Sequence, residues 1–130
     1  MSKIVLDASA LLALLNQEPG AQKLTPELLR DATSSTVNLA EVQTKLVREG
    51  GDPDEAWELA RAPISEAEPF SSDQAKIAGT LVKETRPLGL SLGDRACLAL
   101  AIMLKAPVYT TDKDWKNLKL GIRIHVMRQN

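Results

Sequence analysis

Residues 91–106 read SLGDRACLALAIMLKA, and no other stretch restricts the possible folds as strongly. Beyond Arg95 the segment is apolar on every side until Lys105. A helix without a polar stripe has to be enclosed all round. The stretch ASALLALLN (8–16) carries the same signature, and it follows directly on KIVLD (3–7), a β-branched run that fits a buried strand. With aromatic residues at only 3%, the core has to be built from Leu, Ala, Val and Ile. The enclosed helices also raise a question about charge. Asp7 and Asp94 are embedded in these apolar stretches, and a buried carboxylate is costly unless something pairs with it.

The rest of the chain alternates between the two kinds of element. TPELLRD (25–31) begins with Thr25 as an N-cap and Pro26 at the first helical position. ATSST (32–36) is a weak strand signal, and NLAEVQTKLVREGG (38–51) is an amphipathic helix stopped by glycines. DPDEAWELARA (52–62) is a helix capped by Asp52, and ISEAEPF (64–70) alternates like an exposed strand. SSDQAKIAGTLVKETR (71–86) reads as one helix ended by Pro87. PVYTTD (107–112) is a strand, KDWKNL (113–118) a helical turn and IRIHVM (122–127) a last strand. Strands that alternate with helices predict an α/β sandwich around a mostly parallel sheet. No repeat or linker divides the chain, so residues 1–130 are expected to form a single domain. In open parallel sheets ligands sit beyond the carboxyl ends of the strands. That rule points to Asp7 and Asp112.

Charge and cysteine usage exclude several classes. The net charge of −1 argues against a basic nucleic-acid coat protein. Residues 113–130 carry five basic side chains and one acid, a local +4 that leaves −5 for the rest. This is either a cationic edge or a solvated tail. Cys97 is the only cysteine, so no intrachain disulfide forms, and with His125 as the only histidine a structural zinc site is excluded. No apolar run approaches a membrane span and no secretory leader is visible. The expectation is a soluble protein of the reducing cytoplasm. GxxxxGK and GxSxG are both absent, which argues against an NTPase and a serine hydrolase.

Each acid has a structural explanation and a chemical one. Asp7 can cap the helix that begins at Ala8; Asn38 with Glu41, and Ser91 with Asp94, have capping-box spacing. Asp112 can open the turn that holds Trp115, with Asp114 satisfying the dipole of that turn. Periodicity sets Glu41 on the polar face of its helix, where Lys45 is a candidate partner. The alternative is one shared cause. Mg²⁺ or Mn²⁺ takes oxygen ligands, and its charge offsets both the desolvation and the mutual repulsion of carboxylates. Such a cluster suits metal-assisted hydrolysis of a phosphodiester.

Four segments in order then resemble the PIN-domain family, and within it the VapC-type toxin ribonucleases of type II toxin–antitoxin systems. They are IVLDASALLALL, TVNLAEV, LSLGDRACLALA and VYTTDKDW, and the resemblance spans the whole chain. It implies a PIN-like three-layer α/β/α sandwich and an acidic quartet of Asp7, Glu41, Asp94 and Asp112 around Mg²⁺ or Mn²⁺. By the same resemblance Ser9, Asn38 and Thr110 orient those acids. Asp114 either reaches the metal through water or caps its turn. Arg95 either belongs to the site or forms a surface ion pair. The resemblance further implies a homodimer, a cognate antitoxin that covers the cleft, and RNA substrates such as tRNA or rRNA loops. ISEAEPF departs from the pattern in being more polar than the family's usual strand. Two other readings remain: a catalytically idle PIN-like module that binds RNA or protein, and a metal-dependent phosphatase or DNA nuclease on the same carboxylates. Gly93 is expected to keep the approach to the site open.

Overall fold

The structure is a computed structural model that describes residues 2–128. Five short strands form one sheet: β1 (Ile4–Leu6), β2 (Ala32–Ser35), β3 (Glu66–Glu68), β4 (Val108–Thr110) and β5 (Ile124–Val126). Their spatial order is β3-β2-β1-β4-β5, and all neighbours are parallel. Parallel neighbours require crossovers, and helices supply them. The described helices are α1 (Ala8–Asn16), α2 (Pro26–Leu29), α3 (Thr36–Arg48), α4 (Pro53–Arg61), α5 (Ser72–Thr80), α6 (Val82–Thr85) and α7 (Leu92–Leu104).

Alternation along β1 divides the core into two layers. Ile4 and Leu6 face one side, with Leu11 of α1, Leu39 and Val42 of α3 and Ala60 of α4. Val5 faces the other, with Cys97, Leu98 and Leu100 of α7, Ala78 of α5 and Trp115. The fold is therefore the expected α/β/α sandwich. The apolar helix of 91–106 is enclosed as its sequence requires, with every residue from Ala96 to Ala101 buried; Leu92 and Met103 at its ends stay exposed.

The chain runs outward from β1 through β2 to β3, then returns to place β4 and β5 on the other side of β1. The crevice between β1 and β4 is thus a topological switch point, where connections leave the sheet in opposite directions. Several local expectations hold here. Thr25 caps α2 with Pro26 behind it, Asp52 caps α4, and the polar segment 64–70 contains β3 at the sheet edge. Lys3 answers the exposed acids of that edge, at 2.7 Å from Glu66.

Two expectations fail. The single helix predicted over 71–86 is broken into α5, α6 and a 3₁₀ turn at Arg86–Leu88. The hydroxyls of Thr80 and Thr85 donate back to the carbonyls of Lys76 and Leu81, at 2.9 Å each. Such back-bonding bends helices. The capping box expected from Asn38 and Glu41 is also absent. Ser35 caps α3 instead, its hydroxyl accepting from the Val37 N–H, so Asn38 already lies inside the helix.

Candidate active site

The carboxyl ends of β1 and β4 meet at Asp7. It is 4% exposed and closes β1 while capping α1. Its Oδ1 accepts from the Ser9 hydroxyl at 2.7 Å and from the Ala10 N–H at 2.8 Å; its Oδ2 accepts from the Thr110 hydroxyl at 2.6 Å. The same hydroxyls bind the β4 rim. Ser9 Oγ receives the Thr111 N–H at 2.9 Å, and Thr110 Oγ1 receives the Asp112 N–H at 3.1 Å. Ser9 and Thr110 therefore tie Asp7 to both strands. Even with these bonds, burial pushes the Asp7 carboxyl up to about 6, and the nearby Asp94 charge adds to the rise.

The second carboxylate comes from the far side of α3. Glu41 does not pair with Lys45, and no ion pair joins them among the described residues. Its Oε1 instead accepts from Asn38 Nδ2 at 2.9 Å, and the same nitrogen donates to the Gly93 carbonyl at 3.1 Å. Buried Asn38 thus fastens α3 to the first turn of α7. Gly93 is what permits this approach, because a Cβ at that position would run into the Glu41 carboxylate. Gly93 therefore makes room for a neighbouring side chain, a more specific role than keeping the approach open. Burial, then proximity to Asp94, raises the Glu41 carboxyl, while the Asn38 bond opposes the rise.

Asp94 follows Gly93 and completes a capping box. Its N–H donates to Ser91 Oγ at 3.1 Å, and its Oδ2 accepts from the Ser91 N–H at 3.0 Å. The structural and chemical readings of Asp94 are therefore compatible: the cap aims the residue, and its charge is felt at Asp7, Glu41 and the buried Cys97. Cys97 lies beneath the acids, and burial followed by those charges raises its thiol well above the ordinary value. It is a packing residue here, with no thiolate to offer.

Asp112 stands at the outer rim. It is exposed and caps the 3₁₀ turn Lys113–Asn117, its Oδ1 accepting from the Asp114 N–H at 3.0 Å. Asp114 is exposed on that turn and supplies only this backbone bond, so the cap is Asp112. Arg95 makes no ion pair among the described residues; its guanidinium donates to the Ala78 carbonyl at 2.8 Å and braces α7 against α5.

The donor set suits a hard divalent cation. Both Asp7 Oδ1 lone pairs are occupied, yet Oδ2 keeps one acceptor site after Thr110. Glu41 Oε2, Asp94 Oδ1 and Asp112 Oδ2 accept nothing among the described residues. Buried Asn38 Oδ1 has no donor either. Unfilled carboxylate oxygens gathered around the Asp94 charge, which is felt at Asp7 and Glu41, favour an added positive charge. No three such side chains among the described residues already stand at ion-holding separation. Holding an ion would take small side-chain adjustments about the oxygens that Asn38 and Ser91 leave free on Glu41 and Asp94.

A family model described as the PIN domain matches residues 4–120. The chain belongs to the PIN domain family. Solved structures share this PIN fold. One is a toxin–antitoxin complex from Klebsiella pneumoniae, at TM-score 0.77 and 18% identity, covering 98% of this chain and 100% of that one. Another is VapC20 of Mycobacterium tuberculosis, a sarcin-ricin-loop-cleaving toxin, at TM-score 0.74 and 20% identity over 93% and 99% of the two chains. A third is VapBC2 of Rickettsia felis bound to a promoter DNA fragment, at TM-score 0.73 and 18% identity over 94% and 96%. A search of the curated proteins found no match.

Sequence reasoning missed two features of this PIN domain: the pair of hydrogen bonds that Asn38 donates to Glu41 and Gly93, and the position of Cys97 under the acids. The proximity of NLAE to SLGD is a tertiary fact with no local signature. A glycine in the first turn of an otherwise buried helix was the one available signal.

Proposed function

We propose that this chain is a divalent-metal-dependent endoribonuclease, the toxin of a toxin–antitoxin pair, with Asp7, Glu41, Asp94 and Asp112 holding Mg²⁺ or Mn²⁺. The observation that carries the reading is the gathering of Asp7, Glu41 and Asp94 from three separate elements near the β1/β4 switch point, close enough for the Asp94 charge to reach Asp7 and Glu41. A structural need for caps explains Asp7 and Asp94 individually. It does not explain why Glu41 is laid against Gly93 with a dedicated asparagine beneath it.

A divalent ion held there supplies Lewis acidity toward a phosphodiester and a water acidified for attack. The protein's part is positioning. Ser9, Ala10 and Thr110 fix both oxygens of Asp7, so its remaining acceptor site has one direction. Asn38 holds Glu41, and Ser91 holds Asp94.

The same reading includes a homodimer acting in the cytoplasm, on tRNA or rRNA loops, and a cognate antitoxin seated over the rim. The toxin–antitoxin assemblies among the structural matches support the partner. So does Leu92, 53% exposed and two residues from Asp94. No helix among the described residues is long and apolar enough to cross a membrane. The test is cleavage of matched RNA and DNA oligonucleotides by the purified chain with Mg²⁺ and with EDTA. Metal-stimulated RNA cleavage, lost in folded Asp7→Asn and Asp94→Asn variants, is expected. Wild-type cleavage by either variant refutes the metal quartet. Preference for DNA refutes the ribonuclease assignment, and metal-independent inertness leaves the idle binding module.

A further inference from the structure

On the sheet face that carries α1, the outer strands present a feature the carboxylate site does not use. Leu6, Tyr109 and His125 are register partners across β1, β4 and β5. Tyr109 and His125 stack, with ring centroids 4.6 Å apart and planes 18° from parallel. β5 is the last strand of the described sheet. One face of the His125 ring is covered by Tyr109, so the other is directed away from it, past the sheet edge. The rings line an open groove of about 510 Å³ with Lys23, Lys116 and Met127. Both lysines are exposed. Lys23 lies on the turn after α1 and Lys116 on the turn after β4.

Tyr109 joins the groove to the candidate active site through the backbone. Tyr109 immediately precedes Thr110, which holds Asp7, and the Tyr109 carbonyl accepts the Asp7 N–H at 3.3 Å. Lys116 shares its 3₁₀ turn with Asp112, the turn's cap. Of the basic residues in 113–130, Lys116 lines the groove. None of the large exposed aliphatic side chains lies in the groove. Ile124, Val126 and Met127 complete its lining, and a planar, anionic ligand finds rings and lysines together there. Burial, then the Arg123 charge, lowers the His125 pKa and favours the neutral ring that stacks well.

We infer that the Tyr109–His125 groove binds single-stranded RNA next to the scissile position, an unpaired base stacking on His125 and flanking phosphates resting on Lys23 and Lys116. Stacking on aromatic side chains with lysines along the backbone is the general chemistry of unpaired-strand recognition. For catalysis the inference rests on the ribonuclease reading; for binding it stands alone.

The experiment measures anisotropy of a dye-labelled single-stranded RNA 12-mer with the intact chain in EDTA, beside the same sequence in a duplex, and cleavage with Mg²⁺ in parallel. The single strand should bind more tightly than the duplex. His125→Ala should weaken single-strand binding about tenfold, and His125→Phe should restore most of it. Lys23→Glu with Lys116→Glu should weaken binding and flatten its dependence on log salt by roughly 1.4, the value for two phosphate contacts on a single strand. If all three variants bind within about twofold of the native chain, the groove inference is wrong. If they do so while metal-stimulated cleavage persists, the ribonuclease reading survives it. If native binding depends on His125 but no cleavage occurs with metal, the groove stands and the ribonuclease reading falls.

Discussion

In the metal-free protein, Asp7→Asn should change how stability depends on pH in a way that isolates the buried carboxyl. The Asp7 carboxyl lies at about 6 in the fold, against an ordinary value of 3.8. That difference corresponds to a penalty of about 3 kcal/mol for the ionised form, to order of magnitude. Because the folded value is raised, the fold binds this proton more tightly than the unfolded chain does. The penalty is absent well below pH 3.8 and complete above about 6. Wild-type stability, measured relative to Asp7→Asn, should therefore fall by about 2–3 kcal/mol between pH 4 and pH 8. Asparagine is a suitable comparison because it also caps helices and keeps an oxygen for Ser9 and Ala10. Urea denaturation in EDTA at each pH gives the difference directly. Saturating Mg²⁺ should narrow the gap at pH 8, since a bound cation offsets the same penalty. A flat difference from pH 4 to pH 8, or a wild type that gains on the variant as pH rises, would refute the reasoning.

Gly93→Ala should leave thermal stability unchanged or slightly higher, since alanine favours a helix by about 0.5–1 kcal/mol and the group it meets is the end of a flexible side chain. RNA cleavage should nonetheless fall at least tenfold as Glu41 is displaced; native activity would show that its position is unimportant. Asn38→Ala removes the donor to Glu41 and to the Gly93 carbonyl and should cost about 1–3 kcal/mol by urea denaturation, with reduced cleavage. Gly20→Ala should destabilise by at least about 1 kcal/mol, because Gly20 has φ +97° and its added Cβ would meet the Met127 carbonyl; an unchanged midpoint would contradict that close approach.

The sequence and the fold agree best where one residue's local chemistry decides the outcome. Asp7 caps α1, Ser91 and Asp94 form their box, and the apolar run to Leu104 is buried through its middle. Legibility ended where the deciding partner is distant in the chain. Ser35, in a segment that reads weakly as a strand, outcompetes Asn38 as the cap of α3. Periodicity correctly put Glu41 off the core face of its own helix. It carried no sign that the start of α7 would meet the Glu41 carboxylate, because the cause is the missing side chain at Gly93. Hydroxyls at Thr80 and Thr85 could bond to solvent as easily as to their own helix, so the break after α5 also had no local signature.

Mn²⁺ binding by the intact chain, read by electron paramagnetic resonance of free ion during titration at neutral pH, tests the carboxylate site most directly. The expected result is saturable binding that weakens at least tenfold in Asp94→Asn and in Asp7→Asn, both verified as folded by circular dichroism. No binding by the native chain, or equal affinity in all three proteins, would contradict that site.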